Sequence, residues 1–262
     1  MEKKEARIRE IIAGEKKISM VTCYDYSFAS SLNESDVDII LVGDSMANVC
    51  LGLSDTKEVT VPEMISHTLA VAKGAPDKII VADMPYAGCQ KKNSQPLETA
   101  KKLIRAGADA IKVEWFRGCK KVIKNLINND ILVMGHIGLT PQTIHLLGGH
   151  KIQGKDKSSV DGLIKQAKQL ERLGAFSIVL ECMRKDAAKE ITDVLEIPTI
   201  GIGAGKHCTG QVLVLYDLLG LYPGKMKFVR RFLDLSVQVK NAVNSFNQEV
   251  KRETFPSEGE SF

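Results

Sequence analysis

Short apolar runs rich in β-branched residues recur along the chain, and each is followed by a helix-like segment. Runs of this length are too short for helices and predict strands. Because most of them are apolar at every position, we expect both faces of each strand to be covered, as in a parallel sheet. The eight predicted strands are residues 18–23, 38–42, 78–82, 108–113, 131–134, 175–180, 198–202 and 211–215.

The segments between the strands carry signals that start and end helices. Thr60 and Glu63 stand at the spacing of a capping box, with Pro62 in the first turn, and an apolar run follows them. Gly107 and Gly174 are placed to end two of the later helices. Those later helices are predicted over residues 96–105, 159–173 and 184–195.

Eight alternations of strand and helix, with no break in composition, predict an α/β fold with one domain over residues 1–262. The expected architecture is a (β/α)8 TIM barrel, a fold that typically uses about 250 residues. We expect an N-terminal helix before the barrel, and a C-terminal helix and a short tail after it. An open, doubly wound sheet is the competing fold, because the number of strands alone does not exclude it.

The predicted C-terminal helix has one apolar stripe with residues at spacings of three and four. Such a stripe indicates either a helix packed on the barrel or a contact between subunits. The stripe consists of Phe228, Phe232, Leu235, Val239, Val243, Phe246 and Val250.

The composition argues against nucleic acids and membranes as partners of this protein. Lys and Arg exceed Asp and Glu by 36 to 32, and the net charge of +4 is too mild to indicate nucleic acid as the main partner. No run of about 18 uninterrupted apolar residues occurs, so no contact with a membrane is expected. The six cysteines are far apart and include no C-x-x-C pair, which favours free thiols in a reducing cytoplasm over a zinc site.

Ionisable residues stand at the carboxyl ends of five predicted strands. In a barrel that end is the active-site face, because the loops after the strands surround one shared mouth. Each residue alone has an ordinary structural interpretation, such as a helix N-cap, a buried ion pair or a hydrogen-bonded histidine. Together they predict a site. Its candidate members are Asp44, Ser45, Asp83, Lys112, Glu114, His136 and Glu181.

Four carboxylates around one mouth would repel each other unless a cation joined them. The oxygen donors of Asp44, Asp83 and Glu114 suit Mg²⁺ better than Zn²⁺. Lys112 would then supply positive charge for a carboxylate or enolate oxygen of a ligand. Glu181, on a later strand, is free to act as a base.

These residues lie in segments that resemble the motifs of the ketopantoate hydroxymethyltransferase family, in the same order and over nearly the whole chain. Each motif alone is weak, but the set is specific. The segments are TCYDY from Thr22, VGDS from Val42, VTVPEMISHTLAVAKGAP from Val59, ADMP from Ala82, GADAIKVE from Gly107, VMGHIGLTPQ from Val133, IVLEC from Ile178, IPTIGIGAG from Ile197, GQVLV from Gly210 and DLLGL from Asp217.

The resemblance implies a barrel of the phosphoenolpyruvate/pyruvate superfamily type that serves pantothenate biosynthesis. In that family a hydroxymethyl group passes from 5,10-methylenetetrahydrofolate to 3-methyl-2-oxobutanoate, through an enolate, to give 2-dehydropantoate (ketopantoate). It further implies a large homo-oligomer, an octamer or decamer. The residue roles that it implies are Mg²⁺ at Asp44, Asp83 and Glu114, substrate contacts from Asp44, Ser45, Asp83 and Lys112, and Glu181 as the proton acceptor.

Two other functions remain open. One is another Mg²⁺-dependent 2-oxoacid carboligase or lyase of the same barrel group; a nucleophilic cysteine near Cys89 or Cys119 would favour a lyase. The other is a non-catalytic paralogue that only binds an oxoacid or a subunit. Two bulky residues support the paralogue. Trp115 follows Glu114 where the family usually has glycine, and Arg184 stands near Glu181 where the family usually has proline.

Overall fold

The computed structural model describes residues 6, 8, 10, 11, 13, 17–90, 94–224 and 226–262 of the chain. The chain divides into two compact units, Met1–Val214 and Leu215–Phe262. The first unit contains the strands, and the second contains the C-terminal helices. Within the described part of the chain, no helix combines the length and the apolar character needed to cross a lipid bilayer.

The strands of the first unit run parallel and form a closed barrel. Each strand pairs with the next along the chain, and the last pairs with the first. The predicted barrel is confirmed, and the open sheet is wrong because it would leave the first and last strands apart. The strands are β1 (Ile18–Thr22), β2 (Ile39–Val42), β3 (Ile79–Asp83), β4 (Ala110–Glu114), β5 (Val133–Gly138), β6 (Ser177–Glu181), β7 (Thr199–Ile202) and β8 (Gly210–Leu213).

Alternate residues of the strands fill the interior of the barrel. Val81, Ala110, Met134 and Val179 belong to one buried apolar cluster. Because side chains along a strand alternate between its two faces, the residues two and four positions further on point to the same interior. The alternation that places apolar side chains in the core therefore also places ionisable side chains in the mouth of the barrel. The residues reached in this way are Asp83, Lys112, Glu114, His136 and Glu181.

β5 begins two residues later than predicted and extends through Gly138. The apolar run stops before Gly135, but the pairing of the strand continues. His136 pairs with Glu114 of β4, and Gly138 pairs with Glu181 of β6. His136 thus lies within a strand, between two acidic strand ends.

Helices connect the strands, and the three predicted over residues 96–105, 159–173 and 184–195 begin and end within two residues of those positions. The capping box is confirmed: the Thr60 side chain accepts a hydrogen bond from the Glu63 amide, and the Glu63 carboxylate accepts one from the Thr60 amide. Gly174 ends its helix in the left-handed region, as a C-terminal glycine does. The helices are α1 (Tyr26–Asn33), α2 (Met46–Val49), α3 (Val61–Gly74), α4 (Tyr86–Cys89), α5 (Pro96–Arg105), α6 (Cys119–Ile127), α7 (Lys157–Leu173), α8 (Lys185–Asp193), α9 (Leu215–Leu218) and α10 (Leu235–Lys251), with 3₁₀ turns at Thr56–Glu58, Pro141–Leu147 and Glu258–Glu260.

The predictions of an N-terminal and a C-terminal helix have different outcomes. The predicted N-terminal helix falls largely outside the described residues, although residues 6, 8, 10, 11 and 13 are helical. The predicted C-terminal helix is present as α10, but it begins at Leu235, so Phe228 and Phe232 of the predicted stripe lie before the helix. Val243 and Phe246 of the stripe are exposed in the described chain. What that stripe packs against stays a prediction, as does the assignment of the whole chain to one domain.

Gly138 is expected to be required at the end of β5. Its φ is +97°, and a Cβ atom there would lie 2.3 Å from the backbone oxygen of Glu181. Gly138→Ala should therefore lower the free energy of unfolding by about 1–3 kcal/mol, measured by urea denaturation.

Gly162→Ala is the matched control, because Gly162 lies inside α7 and its added Cβ would meet no atom within 4 Å. We expect this substitution to raise the free energy of unfolding by about 0.5–1 kcal/mol. Equal stability of the two variants would contradict the close approach of β5 to Glu181.

Candidate active site

Four strand ends bring one continuous set of charged side chains together. The Lys112 ammonium lies 2.8 Å from Asp83 Oδ1 and 3.3 Å from His136 Nδ1. The same imidazole lies between two carboxylates, with Nδ1 3.5 Å from Glu114 Oε1 and Nε2 3.2 Å from Glu181 Oε2. The structure thus places these five predicted residues in one cluster at the carboxyl-terminal end of the barrel.

Asp44 and Ser45 join the cluster from the loop after β2. The Asp44 amide donates a hydrogen bond of 2.9 Å to Asp83 Oδ2, and the Asp44 side chain is buried. Its carboxylate accepts a hydrogen bond from the Gln142 side chain at 2.8 Å, and the N-cap of the helix that follows is Ser45. The Ser45 hydroxyl lies 2.9 Å from the hydroxyl of the buried Tyr24.

Burial and mutual repulsion act on the charges of this cluster. Burial, together with the nearby Asp83 and Glu114 carboxylates, raises the pKa of Asp44 well above its usual value. Burial by itself lowers the pKa of Lys112, but the surrounding carboxylates, Asp83 first, raise it above the usual value. Lys112 therefore stays charged, while the negative charge around it is incompletely balanced.

His136 is held in its charged form. Burial and the adjacent Lys112 ammonium disfavour the imidazolium, but the Glu114 and Glu181 carboxylates outweigh them and raise the pKa of His136 to about 9. The imidazolium can then donate toward both carboxylates. His136 thereby connects Glu114, a predicted metal ligand, with Glu181, the predicted base.

The donor chemistry of the cluster suits a hard divalent cation. Asp44, Asp83 and Glu114 offer only oxygen atoms, and all three side chains are buried. Glu114 Oε1 is buried and has no hydrogen-bond partner among the described residues. In that same part of the chain, however, no group of three or more acidic, His or Cys side chains stands ready to hold a metal ion. The Mg²⁺ site therefore stays a prediction.

Gln142 and Tyr24 also belong to this site, although the sequence did not predict them as members. Both are buried, and both contact a predicted site residue through a hydrogen bond. Neither residue type marks a reactive group, so the only available signal was their position in the segments VMGHIGLTPQ and TCYDY.

The cysteines give no support to a thiol nucleophile. Cys89 and Cys119 are buried free thiols. Burial raises the pKa of Cys89 to about 12 and also raises that of Cys119. Because the thiolate is the reactive form, neither cysteine is activated.

Solved structures define the class of protein. The chain is similar to phosphoenolpyruvate phosphomutase from Streptomyces platensis subsp. rosaceus (TM-score 0.64, 12% identity, 95% of this chain and 88% of that chain). It is also similar to 2,3-dimethylmalate lyase, a member of the PEP mutase/isocitrate lyase superfamily (TM-score 0.61, 13% identity, 97% and 89%). These matches show the shared fold, a (β/α)8 barrel.

Relatives in sequence define the family. The family model for ketopantoate hydroxymethyltransferase matches residues 3–258. Proteins named 3-methyl-2-oxobutanoate hydroxymethyltransferase are 50% identical in Bdellovibrio bacteriovorus (95% of each chain) and 44% identical in Thermotoga maritima (95% of this chain, 93% of that one). The chain belongs to the ketopantoate hydroxymethyltransferase family, and the predicted resemblance is confirmed.

We expect the buried pair between Lys112 and Asp83 to stabilise the barrel in the absence of divalent cations. Lys112→Met would leave buried carboxylates without their cation, so the free energy of unfolding should fall by about 3–5 kcal/mol in a chelating buffer. Urea denaturation followed by circular dichroism measures this change.

Lys157→Met is the matched control. Lys157 pairs with Asp161 at 3.1 Å, but both side chains are mostly exposed. Its removal should change stability far less than the loss of Lys112, because water screens exposed pairs. Similar losses from both variants would show that the Lys112 pair has no special energetic role.

Proposed function

We propose that the chain catalyses hydroxymethyl transfer from 5,10-methylenetetrahydrofolate to 3-methyl-2-oxobutanoate, with Glu181 as the base. The product is 2-dehydropantoate, an intermediate in pantothenate biosynthesis. The observation that carries this proposal is the position of Glu181: its carboxylate lies at the barrel mouth, 3.2 Å from a buried imidazole and next to the acidic cluster. Relatives with this enzyme name at 44–50% identity support it further.

Glu181 is suited to remove the proton from C3 of the oxoacid. Its side chain is 18% exposed, against 2% for both Glu114 and His136, so it is the most accessible carboxylate of this group. The His136 ring lies 3.2 Å from one carboxylate oxygen of Glu181. A base positioned in this way typically contributes about 10²–10⁴-fold to the rate.

Lys112 is suited to stabilise the enolate that forms when the proton leaves. Its ammonium is buried and held by the Asp83 carboxylate at 2.8 Å, so it is oriented before the substrate binds. A positive charge in a site with little water stabilises developing negative charge more strongly than it would in solvent. We assign oxoacid binding to Asp44, Ser45, Asp83 and Lys112.

Asp44, Asp83 and Glu114 are the residues that would hold Mg²⁺. Their donor atoms fit this ion, and their repulsion explains why a cation would bind. When bound, Mg²⁺ would draw electron density from the carboxylate and keto oxygens of the oxoacid and make its C3 proton more acidic. The roles of the protein's own residues do not change: Glu181 removes the C3 proton of the oxoacid, and Lys112 stabilises the enolate.

The group transfer balances with one molecule of water. The C3–H bond breaks and its proton passes to Glu181, and a bond forms between C3 and the folate-borne methylene carbon. That carbon leaves the folate nitrogens and carries a hydroxyl group whose oxygen comes from water. Tetrahydrofolate is the second product, and its two nitrogens take up the proton that Glu181 removed from C3 and the second proton of the water.

We also propose that the protein works as a homo-oligomer in the cytoplasm. The six free cysteines suit a reducing compartment. The exposed apolar residues Val239, Val243 and Phe246 of α10 suit a contact with another subunit. Sedimentation analysis of the full chain tests the oligomeric state.

Glu181→Gln should abolish the exchange of the C3 proton of 3-methyl-2-oxobutanoate with deuterated water, because the amide cannot accept the proton. Nuclear magnetic resonance follows the exchange, and calorimetry in parallel should detect unchanged Mg²⁺ binding. Glu190→Gln is the control, since Glu190 is an exposed residue of α8. Exchange at the wild-type rate in the Glu181 variant would rule out this residue as the base.

One assay separates the proposed reaction from the alternatives. Wild-type protein with Mg²⁺, 3-methyl-2-oxobutanoate and 5,10-methylenetetrahydrofolate should form ketopantoate. Exchange at C3 without ketopantoate would indicate an enolising site that has lost the folate reaction. Neither exchange nor product would contradict the proposed function.

A further inference from the structure

We infer that Gln142 is a positioning residue that holds the Asp44 and Glu114 carboxylates ready for a cation, and that Gln90 sets the orientation of its amide. This inference rests on the proposed function, because it concerns the same Mg²⁺ ligands. It adds two uncharged side chains, neither of which is expected to touch the substrate or the metal.

Gln142 connects three neighbouring strand ends. It lies in the 3₁₀ turn after β5, and the residue is 2% exposed. Its side-chain Nε2 donates to Asp44 Oδ2 at 2.8 Å and to the Met84 backbone oxygen at 3.0 Å. Its backbone amide donates to Glu114 Oε2 at 3.0 Å. Both N–H groups of the side-chain amide therefore donate hydrogen bonds, one to the Asp44 carboxylate and one to the Met84 backbone oxygen.

These contacts leave one oxygen of each carboxylate to a cation. Gln142 holds Oδ2 of Asp44 and Oε2 of Glu114, so the remaining atoms are Asp44 Oδ1 and Glu114 Oε1. Glu114 Oε1 has no hydrogen-bond partner in the described part of the chain, and the neighbouring His136 Nδ1 lies 3.5 Å from it. Donation from a neutral amide orients the carboxylates without cancelling their charge, whereas a lysine in the same place would compete with the cation. One oxygen per carboxylate also suits Mg²⁺, which keeps several of its waters.

Gln90 determines which end of the Gln142 amide faces Asp44. Gln90 follows α4, and its Nε2 donates to Gln142 Oε1 at 2.8 Å. If the Gln142 amide were reversed, its oxygen would face Asp44 Oδ2 and the Met84 carbonyl, and three acceptors would repel each other. The reversed amide would also present its NH₂ group to the donor of Gln90. The hydrogen bond from Gln90 therefore favours the orientation that binds Asp44.

The test compares Mg²⁺ binding to the substrate-free full chain by isothermal titration calorimetry. Gln142→Met keeps the length of the side chain and the backbone amide but removes the side-chain donor. Gln90→Met removes only the group that orients Gln142. Gln169→Met, within the half-buried face of α7, makes the same chemical change away from these strand ends. Thermal unfolding of each variant checks that the fold is retained.

We expect Gln142→Met to weaken Mg²⁺ binding by about 10–100-fold, the usual cost of losing a group that orients a metal ligand. Gln90→Met should cause a smaller loss, and Gln169→Met none. The double variant should bind Mg²⁺ as weakly as Gln142→Met alone, because Gln90 acts through Gln142. In the C3 exchange assay, added Mg²⁺ should restore part of the rate of Gln142→Met, since the base is intact.

Two results would overturn the inference. Wild-type affinity for Mg²⁺ in Gln142→Met at an unchanged unfolding temperature would show that the amide does not prepare the site. Losses that simply add in the double variant would reject the role of Gln90. If Gln142→Met fails to fold, Gln90→Met decides the question, because it leaves Gln142 in place and wild-type affinity in it would count against the inference. Absence of Mg²⁺ binding in the wild-type chain would instead overturn the metal part of the proposed function together with this inference.

Discussion

Three buried carboxylates and a fourth that is partly buried share the mouth of this barrel, and their repulsion is the constraint on which the site depends. Two cationic groups offset part of that repulsion: the Lys112 ammonium beside Asp83, and the His136 imidazolium between Glu114 and Glu181. Burial, together with the remaining negative charge of Asp83 and Glu114, raises the pKa of Asp44. Such an arrangement is costly for a protein that only needs to fold, but it suits one that binds a cation and an anionic oxoacid.

The closed barrel makes this crowding possible. Parallel pairing brings the strands into register, so that Asp83 lies opposite Lys112 and Glu114 lies opposite His136 on adjacent strands. The apolar residues earlier in the same strands fill the interior and hold those strand ends at a defined distance. Stability of the core and geometry of the site therefore come from one repeating pattern.

Hydrogen bonds from uncharged side chains complete the arrangement. Gln142 reaches Asp44 across a separation of 98 residues, and Tyr24 reaches Ser45 from the loop after β1. These hydrogen bonds orient the acidic and hydroxyl groups without changing the net charge of the site. They explain how a cluster of like charges can be ordered before a ligand arrives.

The strands, the ends of several helices and the set of ionisable residues at the strand ends could be predicted from the sequence. Local signals carry these features: β-branched runs, the capping pair of Thr60 and Glu63, and glycines such as Gly174. The family could also be identified, since its motifs are local segments in a characteristic order. Three features became evident only from the three-dimensional fold: β8 closes on β1, His136 lies inside β5, and the Gln142 side chain donates to Asp44. Those features arise from contacts between distant segments, and a single sequence does not reveal which partner a buried amide or imidazole will meet.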